Sequence, residues 1–451
     1  MQNNPSSPDT SYPLRSQEWT FIAQHMHDDV RTLALQAARY PDIDMPFCLQ
    51  QIAGRQQAAG KLPSWTAQPH VIFPPKVNIE QCSSEKTARY KAILMLRLWK
   101  ECSVNTEKTT FIDATGGFGV DFVCMANALQ NTDENVHFSF HYADTDEHLC
   151  QLARHNFYLM GVPKAHVHLG DGMSLCRQLT SSVHHPSTTT LIYIDPSRRD
   201  LRGQRTYAIT DCTPDICQYH DEIVLNADIC LVKLSPMVDW HEAVRQLPAT
   251  SEVHIVSTDN ECKELLLVLR RKPQASLTVC CVNDEQTFSF EGNEERRTDG
   301  ERRASACQPS LPYYDFNLSA TEVFSFPTSE SPLYLYEPNA SVMKAGCFSQ
   351  VADYYHVHPI SNDSHLFVSV QKISHFIGRS FVITAFSLMK KKALQQVLQG
   401  IVYANVAVRN FPLSSEQLRQ KLHLKDGGDH YLFGTTTHKG QHIILCCRKM
   451  Q

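Results

Sequence analysis

The sequence predicts an α/β protein: a parallel sheet covered by helices on both faces, with a helical region before it and a small α+β unit after it. Three observations predict it. From about residue 109, short β-rich runs (TTFIDAT, VHFSFHYAD, AHVHLGD, TLIYIDP, ADICLVKL, EVHIVST) alternate with or precede helical stretches (FGVDFVCMANAL, DEHLCQLARHNFYLM, CKELLLVLRRK). Such alternation is the pattern of strands joined by crossover helices. A glycine-rich turn, Asp113-Ala114-Thr115-Gly116-Gly117-Phe118-Gly119, lies directly between the first run and its helix. Finally, the next three runs close on acids: Asp144, Asp171 and Asp195.

Before the sheet, residues 1–100 carry helical signals in TLALQAAR, FCLQQIAGRQQAAGKL and SSEKTARYKAILMLRLWK, with Ser83 or Ser84 placed to cap the last. The sheet is expected over 101–280. After it, EGNEERRTDGERRASACQPS at 291–310 has almost nothing to bury and reads as a mobile loop. An aromatic-rich segment with LYLYEPNASVMKAGCF follows, and His356 and His358 alternate there as in a strand. The end of the chain reads strand, helix, strand, helix, strand, strand: RSFVITAFSL, KKKALQQVLQGI, YANVAVRNF, SSEQLRQKL, HYLFGTT, HIILCCRK.

Composition narrows the class. With 451 residues, 42% hydrophobic and 20% charged, the chain can hold two to four globular domains. Its first residues lack an apolar stretch with a basic flank, and no window reaches the length of a membrane span. A cytoplasmic protein without a membrane partner is expected. The 16 cysteines are scattered, many in strand-like runs, and form no C-x-x-C pair. Reduced thiols are expected, and neither structural zinc nor any other metal. The net charge of -5 is unevenly spread: residues 371–451 hold twelve Lys and Arg against three acids, about +9, leaving about -14 for the rest. A basic end suits an RNA partner, or is simply a solvated face.

The glycine-rich turn permits a sharp strand-to-helix reversal and close backbone approach to a ligand. Alone it could be only a tight turn. The acids that follow favour a nucleotide-like cofactor: Asp144, 31 residues after Asp113, is placed for ribose hydroxyls, Asp171 for an adenine amino group, and Asp195 for the mouth of the site. A pyrophosphate needs G-x-G-x-x-G. Here Gly117-Phe118-Gly119 is followed by Val120, Asp121 and Phe122, with no third glycine and a carboxylate where phosphate would approach. S-adenosylmethionine, whose ammonium acids and loop carbonyls can bind, fits better.

The segments DATGGFGVDF, YADTDEHL, HLGDG and YIDPSRR resemble motifs I to IV of class I methyltransferases, which have a Rossmann-like sheet. More narrowly, IEQCSSEKTARYKA, IDPSRR, VKLSPM, YEPNASVMKAG and VRNFPLSSEQLRQKLHLKDGGDHYLFGTT resemble a bacterial family of S-adenosylmethionine-dependent methyltransferases. In that family a PG_1098-type ferredoxin-like segment joins the catalytic domain to a THUMP-like end. The resemblance implies a ferredoxin-like segment over 281–375 and a basic THUMP-like domain over 376–451. It also implies that Asp113, Gly116, Gly117, Gly119, Asp144 and Asp171 bind the cofactor, while Asp195, Pro196, Ser197, Arg198 and Arg199 face the acceptor.

Amine-methylating relatives of the class end strand four in Asp or Asn, Pro, Pro and an aromatic. This chain keeps Asp195 and Pro196 but has Ser197 and Arg198 next, which argues against an exocyclic amine. Asp-Pro-x-Arg resembles 5-methyluridine enzymes, which use a cysteine nucleophile; yet Lys233 and Ser235 occupy the segment where that cysteine is expected, and Cys212 reads as structural. Arg198, Arg199, Arg202 and Arg205 could bind RNA phosphates and stack on bases, or pair with Asp200 or Asp211. Lys390, Lys391 and Arg409 are the expected RNA contacts of the basic end. The leading reading is methylation of a base in ribosomal or transfer RNA. An RNA-binding assembly factor with a retained cofactor pocket, or a methyltransferase for a small molecule or protein, is the alternative.

Overall fold

The computed structural model describes residues 16–103, 106–132, 136–180, 187–197, 209–272, 276–292, 311–316 and 332–450. Arg198, Arg199, Arg202, Arg205, Asp200, His184, His185 and all but the first two residues of 291–310 lie outside them. The chain divides into two units, Met1–Thr258 with Lys263–Thr278, and Asp259–Cys262 with Val279–Gln451.

The first unit starts with α1 (Ser16–Gln24), α2 (Val30–Leu35), α3 (Met45–Ala58), α4 (Pro63–Ala67), α5 (Lys76–Gln81) and α6 (Glu85–Cys102). Ser84 caps α6, its hydroxyl accepting from the Thr87 N–H. Arg55 on α3 is only 2% exposed and donates to the carbonyls of Thr66, Gln68, Pro69 and Val71, satisfying a turn that would otherwise bury bare oxygens. Burial pushes its guanidinium down to about 10.

The sheet follows: β1 (Lys108–Asp113), α7 (Val120–Gln130), β2 (His137–Asp144), α8 (Glu147–Leu159), β3 (His166–Leu169), α9 (Gly172–Thr180), β4 (Thr188–Ile194), α10 (Ile216–Asn226), β5 (Ile229–Leu234), α11 (Trp240–Gln246), β6 (Thr250–Thr258) and β7 (Glu261–Arg270). The strands lie in the order β3-β2-β1-β4-β5-β7-β6. The first five are parallel, and β7 runs antiparallel to β5. Strand order reverses between β1 and β4, and ligands bind outside the carboxyl ends of strands at such a switch point. The register places Asp113 level with Tyr142 and Tyr193, so the ends carrying Asp144 and Asp195 lie side by side with the glycine-rich turn.

One expected helix is a strand. CKELLLVLRRK forms most of β7, paired from Leu234 with Leu265 to Ile229 with Arg270. Residues Leu265–Leu269 are all buried, and a continuous apolar run covered on both faces does not show the period that separates strand from buried helix.

The second unit contains β8 (Leu277–Asn283), β9 (Gln286–Gly292), β10 (Leu333–Pro338), α12 (Ala340–Ala345), α13 (Phe348–Tyr355), β11 (His358–Pro359), β12 (Phe367–Ser369), β13 (Gly378–Leu388), α14 (Lys391–Val397), β14 (Asn405–Arg409), α15 (Ser415–Lys421), β15 (His430–Thr436) and β16 (His442–Lys449). A sheet in the order β11-β12-β10-β13-β16-β15-β14 packs Leu335, Val368, Phe381, Phe433 and Leu445 into one core. The expected succession of strands and helices at the end of the chain is present, with a capping box at Ser414 and Gln417 opening α15. His356 instead ends α13 in the left-handed conformation, so the strand expected around it is only His358–Pro359. No helix among the described residues is long and apolar enough to cross a membrane. Every cysteine among them is a free thiol.

Candidate functional site

The glycine-rich turn is built from beneath. Asp113 is 1% exposed and accepts from the N–H groups of Thr115 and Gly116, each at 3.0 Å. Burial pushes its carboxyl well above the usual carboxylate range, and the nearby Asp121 and Asp195 charges add to the effect. Asp113 thus holds the turn from inside. Gly116 and Gly119 have φ of 44° and 81°, and a Cβ would lie 2.6 Å from the Ala143 carbonyl oxygen and 2.5 Å from the Phe157 ring respectively. Gly117 differs: a Cβ there would meet nothing within 4 Å. Its N–H donates to Asp144 Oδ2 at 2.8 Å, and its carbonyl accepts from Tyr142 Oη at 2.5 Å. Phe118 inserts downward against Trp65 and Phe73, tying the turn to the helical region.

Asp144 also accepts from the Asp146 N–H at 2.8 Å, and burial raises its carboxyl above the usual range. Asp171 is exposed, accepting from the Ser174 N–H and hydroxyl at the start of α9. Burial is the largest single influence and opposes its charge, but the Ser174 bonds, with the Met173 N–H and Arg177, together outweigh it and lower its carboxyl. The residue after it, Gly172, sits with its Cα face on the turn; a Cβ would be 1.9 Å from the Ala114 carbonyl oxygen. Backbone packed on backbone fixes the spacing between the β1 and β3 ends.

At the β4 end, the Asp195 N–H donates to Thr115 Oγ1 at 2.7 Å, and the Lys233 ammonium donates to Asp195 Oδ2. Pro196 is buried, and Ser197 is exposed and bridged to Thr213 by two backbone hydrogen bonds of 2.8 and 3.0 Å. Cys212 is buried, and burial raises the Cys217 thiol, so neither has the exposed thiolate character of a nucleophile.

Asp121 corrects the expectation that its carboxylate lies where a phosphate would approach. It points into the core, accepting from Ser83 Oγ at 2.8 Å and Tyr193 Oη at 2.7 Å, with the Lys91 ammonium at 3.2 Å. Burial opposes its charge, but Lys91 and Lys233 outweigh that and lower its carboxyl. Lys91, wholly buried, also donates to both Glu264 oxygens at 2.7 Å. The first turn of a helix is where an acid is favoured, and here the macrodipole and a lysine both draw it inward.

In the second unit, Lys390, Lys391 and Lys392 are exposed and have no acidic partner among the described residues. Arg409 is committed differently. It donates to buried Glu337 at 2.7 Å, as does Arg379 through Nε at 2.8 Å. Asn339 caps α12, so Glu337-Pro338-Asn339 closes a turn and anchors two arginines. Arg419 pairs with Glu416 and Asp426. No group of three or more metal-ligating side chains occurs among the described residues.

Sequence reasoning missed Thr115, Tyr142, Gly172 and Lys233. HLGDG carried the signal for Gly172, and a lysine inside an apolar strand run was the signal for Lys233.

Residues 378–449 match a family described as THUMP domain-like, and residues 334–376 match a ferredoxin-like domain. The crystal structure of a "putative methyltransferase" from Porphyromonas gingivalis W83 is similar over 96% of this chain and 98% of its own, with 28% identity and a TM-score of 0.75. A second structure, described as a "putative class I S-adenosylmethionine-dependent methyltransferase" from Listeria monocytogenes, is 8% identical over 59% of this chain and 93% of its own, with a TM-score of 0.34. No curated protein sequence matches. The chain thus has the mixed α/β fold of the Porphyromonas gingivalis "putative methyltransferase", and its later segments match the ferredoxin-like and THUMP domain-like models.

Proposed function

We propose that the chain is a cytoplasmic S-adenosylmethionine-dependent methyltransferase that modifies ribosomal or transfer RNA. The observation that carries the reading is the Gly117–Asp144 cradle beside Asp195 at the sheet's switch point: the one turn glycine with open space above it is hydrogen-bonded to the acid that a ribose would meet. In this reading Asp113, Gly116 and Gly119 shape the turn, Gly117 and Asp144 line the ribose and amino-acid end, and Asp171 faces the base. The cofactor, when bound, supplies an electrophilic methyl group on a sulfonium. The chain's task is then to hold the acceptor in line and exclude water. Asp195 accepts a hydrogen bond from the acceptor, Pro196 and Ser197 shape the entrance, and Arg198 and Arg199 are assigned to the RNA backbone.

The test is radiolabelled methyl transfer from S-adenosylmethionine into total RNA, and separately total protein, from a strain lacking the gene. Label is expected in RNA with the unmodified chain and not with Asp195→Ala. Cofactor binding without label in either pool would favour the assembly-factor or small-molecule alternatives. The exposed Lys390–Lys392 run supports RNA as the partner. Changing all three to Gln is expected to weaken RNA binding and lower the slope of log affinity against log salt by up to about 2 to 3, at roughly 0.7 to 0.9 for each phosphate no longer neutralised. An unchanged slope in a filter-binding titration removes these lysines from the RNA face.

A further inference from the structure

Strand β5 places Lys233 between Val232 and Leu234, both buried, where an unpaired ammonium is costly. Its side chain is 13% exposed and its partner is Asp195, whose own is 36% exposed. Behind the pair, Lys91 already engages Asp121 and Glu264, so those carboxylates do not replace Asp195 as the direct partner. Burial opposes the Lys233 charge, but Asp195, Asp121 and Glu264 together outweigh it and hold the ammonium above the usual lysine range. The half-buried Cys82 thiol, which also interacts with Lys233, is itself pushed up to about 11 by burial and adds no charge near neutrality.

Asp195 is therefore gripped at both ends: its N–H by Thr115 and Oδ2 by Lys233. Among the described residues Oδ1 has no partner. We propose that Lys233 is a positioning residue for Asp195, and that the acceptor is a hydroxyl or a ring N–H, not an exocyclic amine, whose proton passes to Asp195 Oδ1. This inference rests on the methyltransferase reading and narrows its substrate class to acceptors that must lose a proton. The acceptor's lone pair forms the bond to the methyl carbon, the electrons of the broken carbon–sulfur bond stay on sulfur, and the released proton moves to Oδ1 and then to water. A lysine that stays charged keeps Oδ2 occupied, so that Oδ1 alone faces the proton.

Two readouts test it. In the full chain labelled with ¹⁵N-lysine, the Nζ resonance absent from Lys233→Met should persist to higher pH than those of exposed lysines, and Asp195→Asn should lower its titration. An unmoved titration in Asp195→Asn overturns the pairing, whatever the protein methylates. Second, Lys233→Met should bind S-adenosylmethionine within about twofold of the unmodified chain by calorimetry. It should transfer methyl to RNA about 10²-fold more slowly, the scale of a general-base contribution, with a displaced pH profile and partial recovery in Lys233→Arg. Transfer at the unmodified rate and profile overturns the positioning role. If the unmodified chain binds no S-adenosylmethionine, the methyltransferase reading fails and the proton-acceptor assignment with it, while the lysine titration still decides the pairing.

Discussion

Gly172→Ala is expected to lower the affinity for S-adenosylmethionine at least tenfold and to reduce stability. The added Cβ would sit 1.9 Å from the Ala114 carbonyl oxygen and 2.7 Å from its Cα. No side chain can rotate away, because both partners are backbone; either the start of α9 or the glycine-rich turn must move. Overpacking of this kind costs about 1–3 kcal/mol, and a tenfold loss of affinity corresponds to about 1.4 kcal/mol. A displaced turn takes Gly117 and its bond to Asp144 with it. Gly60→Ala is the control, since a Cβ there meets nothing within 4 Å and the backbone is not left-handed. Calorimetric titration and thermal unfolding of the two variants check this. Unmodified affinity in Gly172→Ala would detach the β1 and β3 ends from the proposed cofactor site.

The parts of the site legible in the sequence were those that strand endings announce. Asp113, Asp144 and Asp195 each close a β-rich run, and the sheet's register brings their ends together at the point where strand order reverses. What could not be read was direction. Asp121 and Asp144 are both acids near the turn, but only packing decides that one turns toward Lys91 and the other toward Gly117. Likewise Arg409 and Lys390 look equivalent as basic residues, yet a buried Glu337 captures the arginine and leaves the lysine in solvent. The β7 run failed for another reason: Glu264–Arg270 are buried one after another, and in such a stretch the alternation that marks a strand disappears.

Lys91→Met is expected to be the most destabilising single change in the first unit, at about 3–5 kcal/mol, the cost of breaking a buried ion pair by removing one partner. The methionine fills the space but leaves Glu264 and Asp121 buried without the ammonium that bridges them. The pH dependence distinguishes this from a packing defect. Burial already raises the Glu264 carboxyl above its usual range, with Lys91 the main opposing charge. A carboxyl whose folded value is raised favours folding below its unfolded value, and that advantage is lost as pH rises through the folded value. Removing Lys91 raises Glu264 further, so the variant should be weakest at and above neutrality and recover as pH falls toward the carboxylate range. Adding Glu264→Gln should restore part of the loss at pH 7, because Asp121 retains the neighbouring positive charge of Lys233. Urea unfolding between about pH 5 and 8 measures all three proteins, taking the linkage of stability to proton uptake as the guide. A loss below about 1 kcal/mol that does not vary with pH would mean that these charges are far better solvated than their burial indicates, since buried pairs broken on one side ordinarily cost several times more. The same floor supports Lys233 and Tyr193 beneath the β4 and β5 ends, so loosening it should also reach the proposed site.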